Sequence, residues 1–280
     1  MVIKMLRKAY LEITNVCNLA CSFCPGTKRE KRFMSVEEFR VLAAKLRAHT
    51  EYLYFHLMGE PLLHPQLDKL LEIAAELAFK VIITTNGTLL ERKADILLNA
   101  AALHKVNISL QSFEANTVGD FESYVNLCAD FAARVADRGK IAVLRLWNEG
   151  GLDKLNGDIE EILRTKFPGE WKQSRGGLRL SERIWLEHGE KFDWPELSAQ
   201  DMGQQLFCYG LRDQIGVLCD GTVVPCCLDH EGDIALGNLF EDELQNIMST
   251  EKARNIHDGF SKRQAVEELC RKCGYARRFT

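Results

Sequence analysis

Cys17-Asn18-Leu19-Ala20-Cys21-Ser22-Phe23-Cys24 follows a short apolar stretch, Tyr10-Leu11-Glu12-Ile13-Thr14, that reads as a strand. Three cysteines fall within eight residues at C-x3-C-x2-C spacing. Thiolates crowded in this way point to a metal centre, and three of them leave a cubane cluster one iron short of full cysteine ligation. An iron with an open position can take an exogenous chelating group. A zinc site more usually shows two C-x2-C or C/H pairs, and this stretch holds one close pair. A disulfide framework needs an oxidising compartment, whereas Met1-Val-Ile-Lys-Met-Leu-Arg-Lys8 lacks the apolar core of a signal peptide.

Outward from this stretch, strand-like and helix-like segments alternate. Ser35-Val-Glu-Glu38 is a capping box that opens a helix over 36–48, with apolar residues at Phe39, Leu42, Ala43 and Leu46. Strands are expected at 52–57, 80–85, 106–110 and 141–146, and helices after Pro65 and at 91–102, 121–138 and 158–166. A sixth strand is expected within 178–186. Such alternation argues for an α/β fold of parallel strands joined by right-handed crossovers. A full eight-unit barrel takes about 250 residues, and too few remain. A partial (β/α)6 TIM-like barrel over 1–195 fits, with its active rim where strands run into the following loops. The polar, aperiodic residues 195–205 mark a boundary. The remainder, 196–280, reads as a small α+β domain with a hairpin turning at Asp220-Gly221, between 214–219 and 222–226, and a helix over 241–248.

Composition excludes several classes. The 280 residues are 46% hydrophobic and 27% charged, ordinary for a soluble globular chain with a sizeable core. A net charge of −4 argues against a general nucleic-acid binder. The basic clusters Lys28-Arg-Glu-Lys-Arg32, Arg271-Lys272 and Arg277-Arg278 read as a solvated loop and tail. No apolar run approaches the ~18 residues of a membrane span, so a cytoplasmic location without membrane contact is expected. There, ten cysteines read as metal ligands before bridges.

Several expected strand ends carry polar groups. Gly59-Glu60-Pro61 combines a residue that permits close backbone approach with a carboxylate able to accept from an ammonium. Thr84-Thr85-Asn86-Gly87 is a strong turn. Ser109 and Gln111 share one strand face by period two. Arg145 stands in an apolar strand, where it would be costly to bury unpaired; a carboxylate of a bound molecule would resolve that. His56 and His64 are expected to satisfy local hydrogen bonds. Near the C-terminus lie Cys208, Cys219, Cys226, Cys227, Cys270 and Cys273. Four thiolates suffice for one more [4Fe–4S] cluster, although two cysteine pairs could also make a zinc ribbon. Neighbouring strand residues face opposite ways, so Cys226 and Cys227 should not both ligate. Cys128 is expected in the core.

Cys17, Cys21 and Cys24, with Phe23 in the aromatic slot of C-x3-C-x-aromatic-C, resemble the signature of the radical S-adenosylmethionine (SAM) superfamily. That resemblance implies a [4Fe–4S] cluster whose fourth iron chelates SAM and whose electron cleaves it to methionine and a 5′-deoxyadenosyl radical. It further implies that Gly59, Glu60 and Pro61 meet the SAM amino group. Thr85 and Asn86 would lie beside the active site, Ser109 near the ribose or carboxylate with Gln111 on the same face, and Arg145 against a carboxylate of SAM or substrate. Cys208, then Asp220-Gly-Thr-Val-Val-Pro-Cys226, Gly237-Asn-Leu239 and Cys270-x2-Cys273 resemble the SPASM/Twitch extension of these enzymes, in its shorter Twitch form. The resemblance implies Cys208, Cys226, Cys270 and Cys273 as ligands of an auxiliary [4Fe–4S] cluster, with Cys219 and Cys227 spare thiols beside it. The expected function is hydrogen-atom abstraction leading to oxidative modification of a peptide or protein side chain, with a low-potential donor of flavodoxin or ferredoxin type as partner. The alternative substrate is a small sugar-like alcohol, because strand one begins too early for an N-terminal leader-recognition domain. Weaker alternatives are RNA modification and a non-catalytic scaffold.

Overall fold

The computed structural model describes residues 5–116, 119–174 and 176–279. Five strand–helix units come first: β1 (Lys8–Leu11) and α1 (Val36–Arg47), β2 (Tyr52–Phe55) and α2 (Leu67–Glu76), β3 (Lys80–Thr85) and α3 (Leu90–Asn99), β4 (Leu103–Ser109) and α4 (Phe121–Asp137), and β5 (Ile141–Glu149) and α5 (Asn156–Lys166). β1 to β5 pair in sequence order, all parallel. Ser35 caps α1 as its sequence indicates, accepting from the Glu38 backbone while the Glu38 carboxylate accepts from the Ser35 N–H. Phe39, Leu42, Ala43 and Leu46 are the buried face of that helix, and Phe39 meets Phe55 of β2 edge-on at 5.4 Å. Burying each such side chain contributes about 1.5–3 kcal/mol.

The expected sixth strand proves to be parts of two. β6 (Lys172–Ser174), β7 (Gly177–Ser181) and β8 (Ile184–Glu190) form an antiparallel meander, and only β8 lies parallel to β5. Glu182 and Arg183 make the turn that divides the segment. β8 completes a six-stranded parallel set, the partial barrel expected for the α/β fold. The following segment does not build a sheet of its own. Its first strand, β9 (Gln214–Val217), pairs in parallel with β1 from Lys8↔Gln214 to Leu11↔Val217. The hairpin to β10 (Thr222–Val224) turns at Asp220-Gly221 as expected, and β11 (Gly237–Asn238) closes that edge. One eleven-stranded sheet thus runs in the order β11-β10-β9-β1-β2-β3-β4-β5-β8-β7-β6. Three helices end the chain: α6 (Leu244–Met248), α7 (Glu251–Ser261) and α8 (Glu268–Arg271). Among the described residues no helix is long and apolar enough to cross a membrane.

Period two divides the barrel strands between two environments. Ala9, Leu11, Leu53, Phe55, Val106, Ile108, Leu144, Leu146 and Leu186 are fully buried in the core. Their alternating neighbours, among them Tyr10, Tyr54, Asn107, Arg145 and Glu187, line a cavity of about 1680 Å³. This polar inner face is what the parallel strands hold in place.

Candidate active site between two cysteine groups

The loop of residues 17–24 leaves β1 at the rim, and the β2 end fixes where it runs. Gly59 has φ +77°, and a Cβ there would sit 2.5 Å from the Thr14 carbonyl oxygen and 2.8 Å from that of Val16. The Glu60 N–H then donates to Val16 O at 2.8 Å. The close approach that Gly59 permits is therefore to the chain's own cysteine loop, where the sequence suggested a ligand. Two asparagines hold the loop from the other side. Asn116 Oδ1 accepts from the Ala20 N–H at 3.1 Å, and its Nδ2 donates to Cys21 Sγ at 3.0 Å and to Ser112 O at 2.7 Å. Asn18 accepts from Asn86 Nδ2 at 3.0 Å and donates to Thr88 Oγ1 at 2.8 Å. Cys17 and Cys24 are left exposed, Cys21 half-buried, and all three face the cavity beside the exposed Phe23. Burial pushes the Cys17 and Cys21 thiols upward.

Glu60 stands behind this wall and is not part of it. It is 2% exposed, and its two oxygens accept from the backbone of Leu62 at 3.0 Å and of Asn86 at 2.8 Å. Burial raises its pKa to about 7 despite those bonds. The carboxylate ties the β2 end, where Pro61 opens a short turn, to the Thr85-Asn86 turn after β3. Ser109 and Gln111 do line the cavity, and Gln111 Oε1 is buried there without a hydrogen-bond partner. Arg145 also lines it, but a carboxylate of the protein already meets this side chain: Nε donates to Glu187 Oε2 at 3.2 Å. Its guanidinium stacks 4.5 Å over Trp147. His64 has local partners, whereas His56 Nδ1 is buried with none, against expectation.

Cys208, Cys226, Cys227, Cys270 and Cys273 face the same cavity. Cys226 lies within electrostatic reach of the other four, and burial drives its thiol far up. Burial likewise lifts Cys208 to about 11 and raises Cys270 and Cys273. The Tyr10 hydroxyl hydrogen-bonds to Cys227, and Cys208 Sγ accepts from the Gly210 N–H at 3.4 Å. Cys219 lies apart from them: its Sγ–H donates to Glu12 O at 2.9 Å. Cys128 is fully buried, as expected. No described cysteine is in a disulfide, and no described group of three or more His, Cys, Asp or Glu is placed to hold a metal ion as it stands. A four-iron core needs thiolates spread around it more widely than a single tetrahedral ion does. Three thiols on one loop, two of them exposed, and four converging soft donors from distant parts of the chain suit such cores.

A buried ion pair that residue order barely hints at locks the two segments together. Glu12 is fully buried and takes both terminal nitrogens of Arg29, at 2.6 and 2.8 Å, as well as the backbone N–H of Met58 and Cys219. Arg29 Nε donates to His230 O at 2.8 Å. The basic run around Arg29 is solvated only in part: Lys28, Glu30 and Lys31 are exposed, whereas Arg29 pairs with Glu12 and Arg32 with Glu38. In the tail, Arg271 pairs with Asp201 and Lys272 with Glu268. A lone carboxylate in the apolar stretch before Cys17 was the available signal.

A family model described as the radical SAM superfamily matches residues 11–162, over half the chain, and a SPASM iron–sulfur cluster-binding domain matches residues 208–274. The chain belongs to the radical SAM superfamily and carries a SPASM domain, so a SAM-binding [4Fe–4S] cluster and an auxiliary cluster are its cofactors. A GTP 3′,8-cyclase of Microcystis aeruginosa is 32% identical over 299 residues, covering 88% of this chain and 89% of that protein. A GTP 3′,8-cyclase of Chlorobaculum tepidum is 35% identical over 108 residues, only 37% of this chain and 32% of the relative. The sporulation killing factor maturation protein of Bacillus subtilis is 23% identical over 85% of this chain and 64% of its own length. Among solved structures, BtrN in complex with AdoMet and 2-DOIA has TM-score 0.61 at 18% identity, covering 96% of this chain and 93% of BtrN. Streptococcus suis SuiB bound to its precursor peptide SuiA has TM-score 0.60 at 16% identity, over 96% and 70%.

Proposed function

We propose that this enzyme abstracts a hydrogen atom from a carbon of a substrate held between its two clusters and completes a net two-electron oxidation. The observation that carries this reading is that both cysteine groups border one cavity, so a substrate in it lies near both. With the cofactors bound, the first group supplies reductive cleavage of SAM and the second an acceptor for the electron left on the substrate. Cys17, Cys21 and Cys24 would hold the SAM-binding cluster, and Cys208, Cys226, Cys270 and Cys273 the auxiliary one. Ser109 and Gln111 would orient SAM, giving Gln111 Oε1 the donor it lacks. Phe23 covers the loop edge, and Glu60 sets the β2 and β3 ends that frame it. The cavity, at about 1680 Å³, exceeds the ~300–1,000 Å³ of an ordinary ligand site, leaving room for a substrate beside SAM. A flavodoxin- or ferredoxin-type protein would deliver the initiating electron.

A peptide or protein side chain is the first substrate class, supported by the resemblance to the killing-factor maturation protein and to peptide-bound SuiB. A small molecule is the second, supported by BtrN with 2-DOIA bound and by the GTP 3′,8-cyclases. The test is 5′-deoxyadenosine formation by anaerobically reconstituted protein given SAM and a strong reductant. Wild type should form it and Cys17→Ala should not; deuterium transfer from labelled peptides or small alcohols into the product then separates the classes. Absence of 5′-deoxyadenosine from protein carrying a reducible first cluster, across both panels, would defeat the reading.

A further inference from the structure

Deeper in the cavity than the rim, the strands present charges that the cluster and SAM-side residues do not use. Lys8 opens β1 and Lys105 lies near the start of β4, whereas the cysteine loop follows the other end of β1. Lys105 makes no hydrogen bond or ion pair among the described residues. Burial holds its ammonium below the usual range, and the charges of Arg145 and Lys8 add to the effect. Lys8 likewise has no ion pair, and its Nζ lies 5.9 Å over the Tyr54 ring. Glu187 gives Arg145 one bond at 3.2 Å, and Asp213 faces Lys8 at longer range. Next to these cations stand acceptors without donors. Asn107 is fully buried; its amide nitrogen reaches Thr84 Oγ1 at 3.1 Å, but its Oδ1 has no partner. His56 Nδ1 is also unpartnered, and burial lowers its pKa to about 3, so the ring is neutral.

A half-buried ammonium that Glu187 reaches only at longer range while bonded to Arg145, and a buried amide oxygen without a donor, both cost stability in the empty protein. A ligand that brings an oxyanion to the first and a hydroxyl or amine to the second removes both penalties. We infer that Lys105, with Lys8 and Arg145, binds a carboxylate or phosphate group of the substrate, while Asn107 and His56 meet hydroxyl or amine groups beside it. The inference rests on the proposed function, in that it places the substrate in the same cavity. It adds the substrate's chemical class and its orientation: the anionic end sits deep between the strands and the reacting carbon points to the rim.

Isothermal titration of the reconstituted holoprotein with SAM bound tests this, because SAM occupies the open iron that small anions would otherwise reach. The probes are acetate and methyl phosphate, with methanol as the neutral control. One or both anions should bind saturably and methanol should not. Stronger binding of acetate assigns a carboxylate substrate, and stronger binding of methyl phosphate a phosphate ester. Lys105→Gln should weaken the anion by about tenfold, the scale of one charged hydrogen bond; Lys105→Arg should retain it, and the exposed Lys69→Gln should change nothing. Saturable binding to neither anion, or equal binding by wild type and Lys105→Gln, overturns the assignment. The measurement is an equilibrium without turnover, so its failure leaves the radical chemistry standing, and an inactive enzyme that still binds anions at Lys105 leaves this site standing.

Discussion

The two cysteine groups look into one cavity, yet the chain builds them in contrasting ways. The first is local: three thiols in eight residues on a loop, two of them exposed. Its geometry is imposed by outside contacts from Gly59, Asn86, Thr88 and Asn116. The second is assembled from three distant points of the chain, at Cys208, Cys226 and the pair Cys270 and Cys273. Its thiols are half-buried or buried and near enough to raise one another. A three-thiol loop open to the cavity suits a cluster that must bind a ligand, and four converging thiols suit one that exchanges only electrons. Short sequence spacing therefore marks the first cysteine group, and tertiary convergence the second.

The sharpest way to break this comparison is to remove one thiol from each side. Cys17→Ala should lose all 5′-deoxyadenosine formation, whereas Cys270→Ala should retain it and lose the oxidised product; each should drop to about half of wild-type iron by elemental analysis. Next in size is the link between the regions. Arg29→Met strands the buried Glu12 carboxylate, and chemical denaturation should show a loss of about 3–5 kcal/mol. If the variant lost less than the exposed pair variant Arg40→Met, Glu12 would not be the joint described above. Gly59→Ala should cost about 1–3 kcal/mol for its strained backbone and should displace the first cluster alone, read as SAM-responsive electron paramagnetic resonance signal lost while the auxiliary signal persists.

A smaller effect separates apoprotein from holoprotein with pH. Burial lifts the Cys208 and Cys227 thiols from 9.0 to about 11. Between those values the folded apoprotein keeps protons that the unfolded chain releases, so its stability is intact below pH ~9 and falls as pH rises toward ~11. Cluster binding fixes Cys208 as a thiolate and removes its share, so the thermal midpoint of apoprotein should fall more steeply over that window. The least effect is expected from Asn116→Ala. Its amide donates to Cys21 Sγ, and such bonds favour the more negatively charged reduced cluster. Loss of the donor should lower the first cluster's reduction potential in an anaerobic redox titration and leave the auxiliary potential unchanged.

The two segments also differ in how far residue order alone exposes them. Cys17, Cys21, Cys24 and Phe23 are legible because a loop that must wrap one cluster concentrates its ligands, and spacing along the chain is then spacing in space. The capping box at Ser35, the alternating strands and the Asp220-Gly221 turn are legible for the same reason: each depends on neighbours within a few residues. Division of 178–186 into β7 and β8, and the pairing of β9 with β1, depend on strands far apart in sequence. No local pattern encodes which edge a strand joins.

Single polar residues were the least legible. Arg145 announced a need for a carboxylate, but only the register Arg145↔Glu187 shows that the protein supplies one. Arg29 looked like part of a charged run, and only folding brings it to Glu12. Lys105 and Asn107 gave no signal, because an alternating strand reads the same whether its polar face meets water or a closed cavity. By itself, then, the sequence determined the class of fold, from periodicity, and, through the resemblance its short cysteine spacing carries, the kind of cluster chemistry. The tertiary structure alone decided that both cysteine groups share one cavity and which buried charges are paired, since charge pairing depends on distances that chain order does not set.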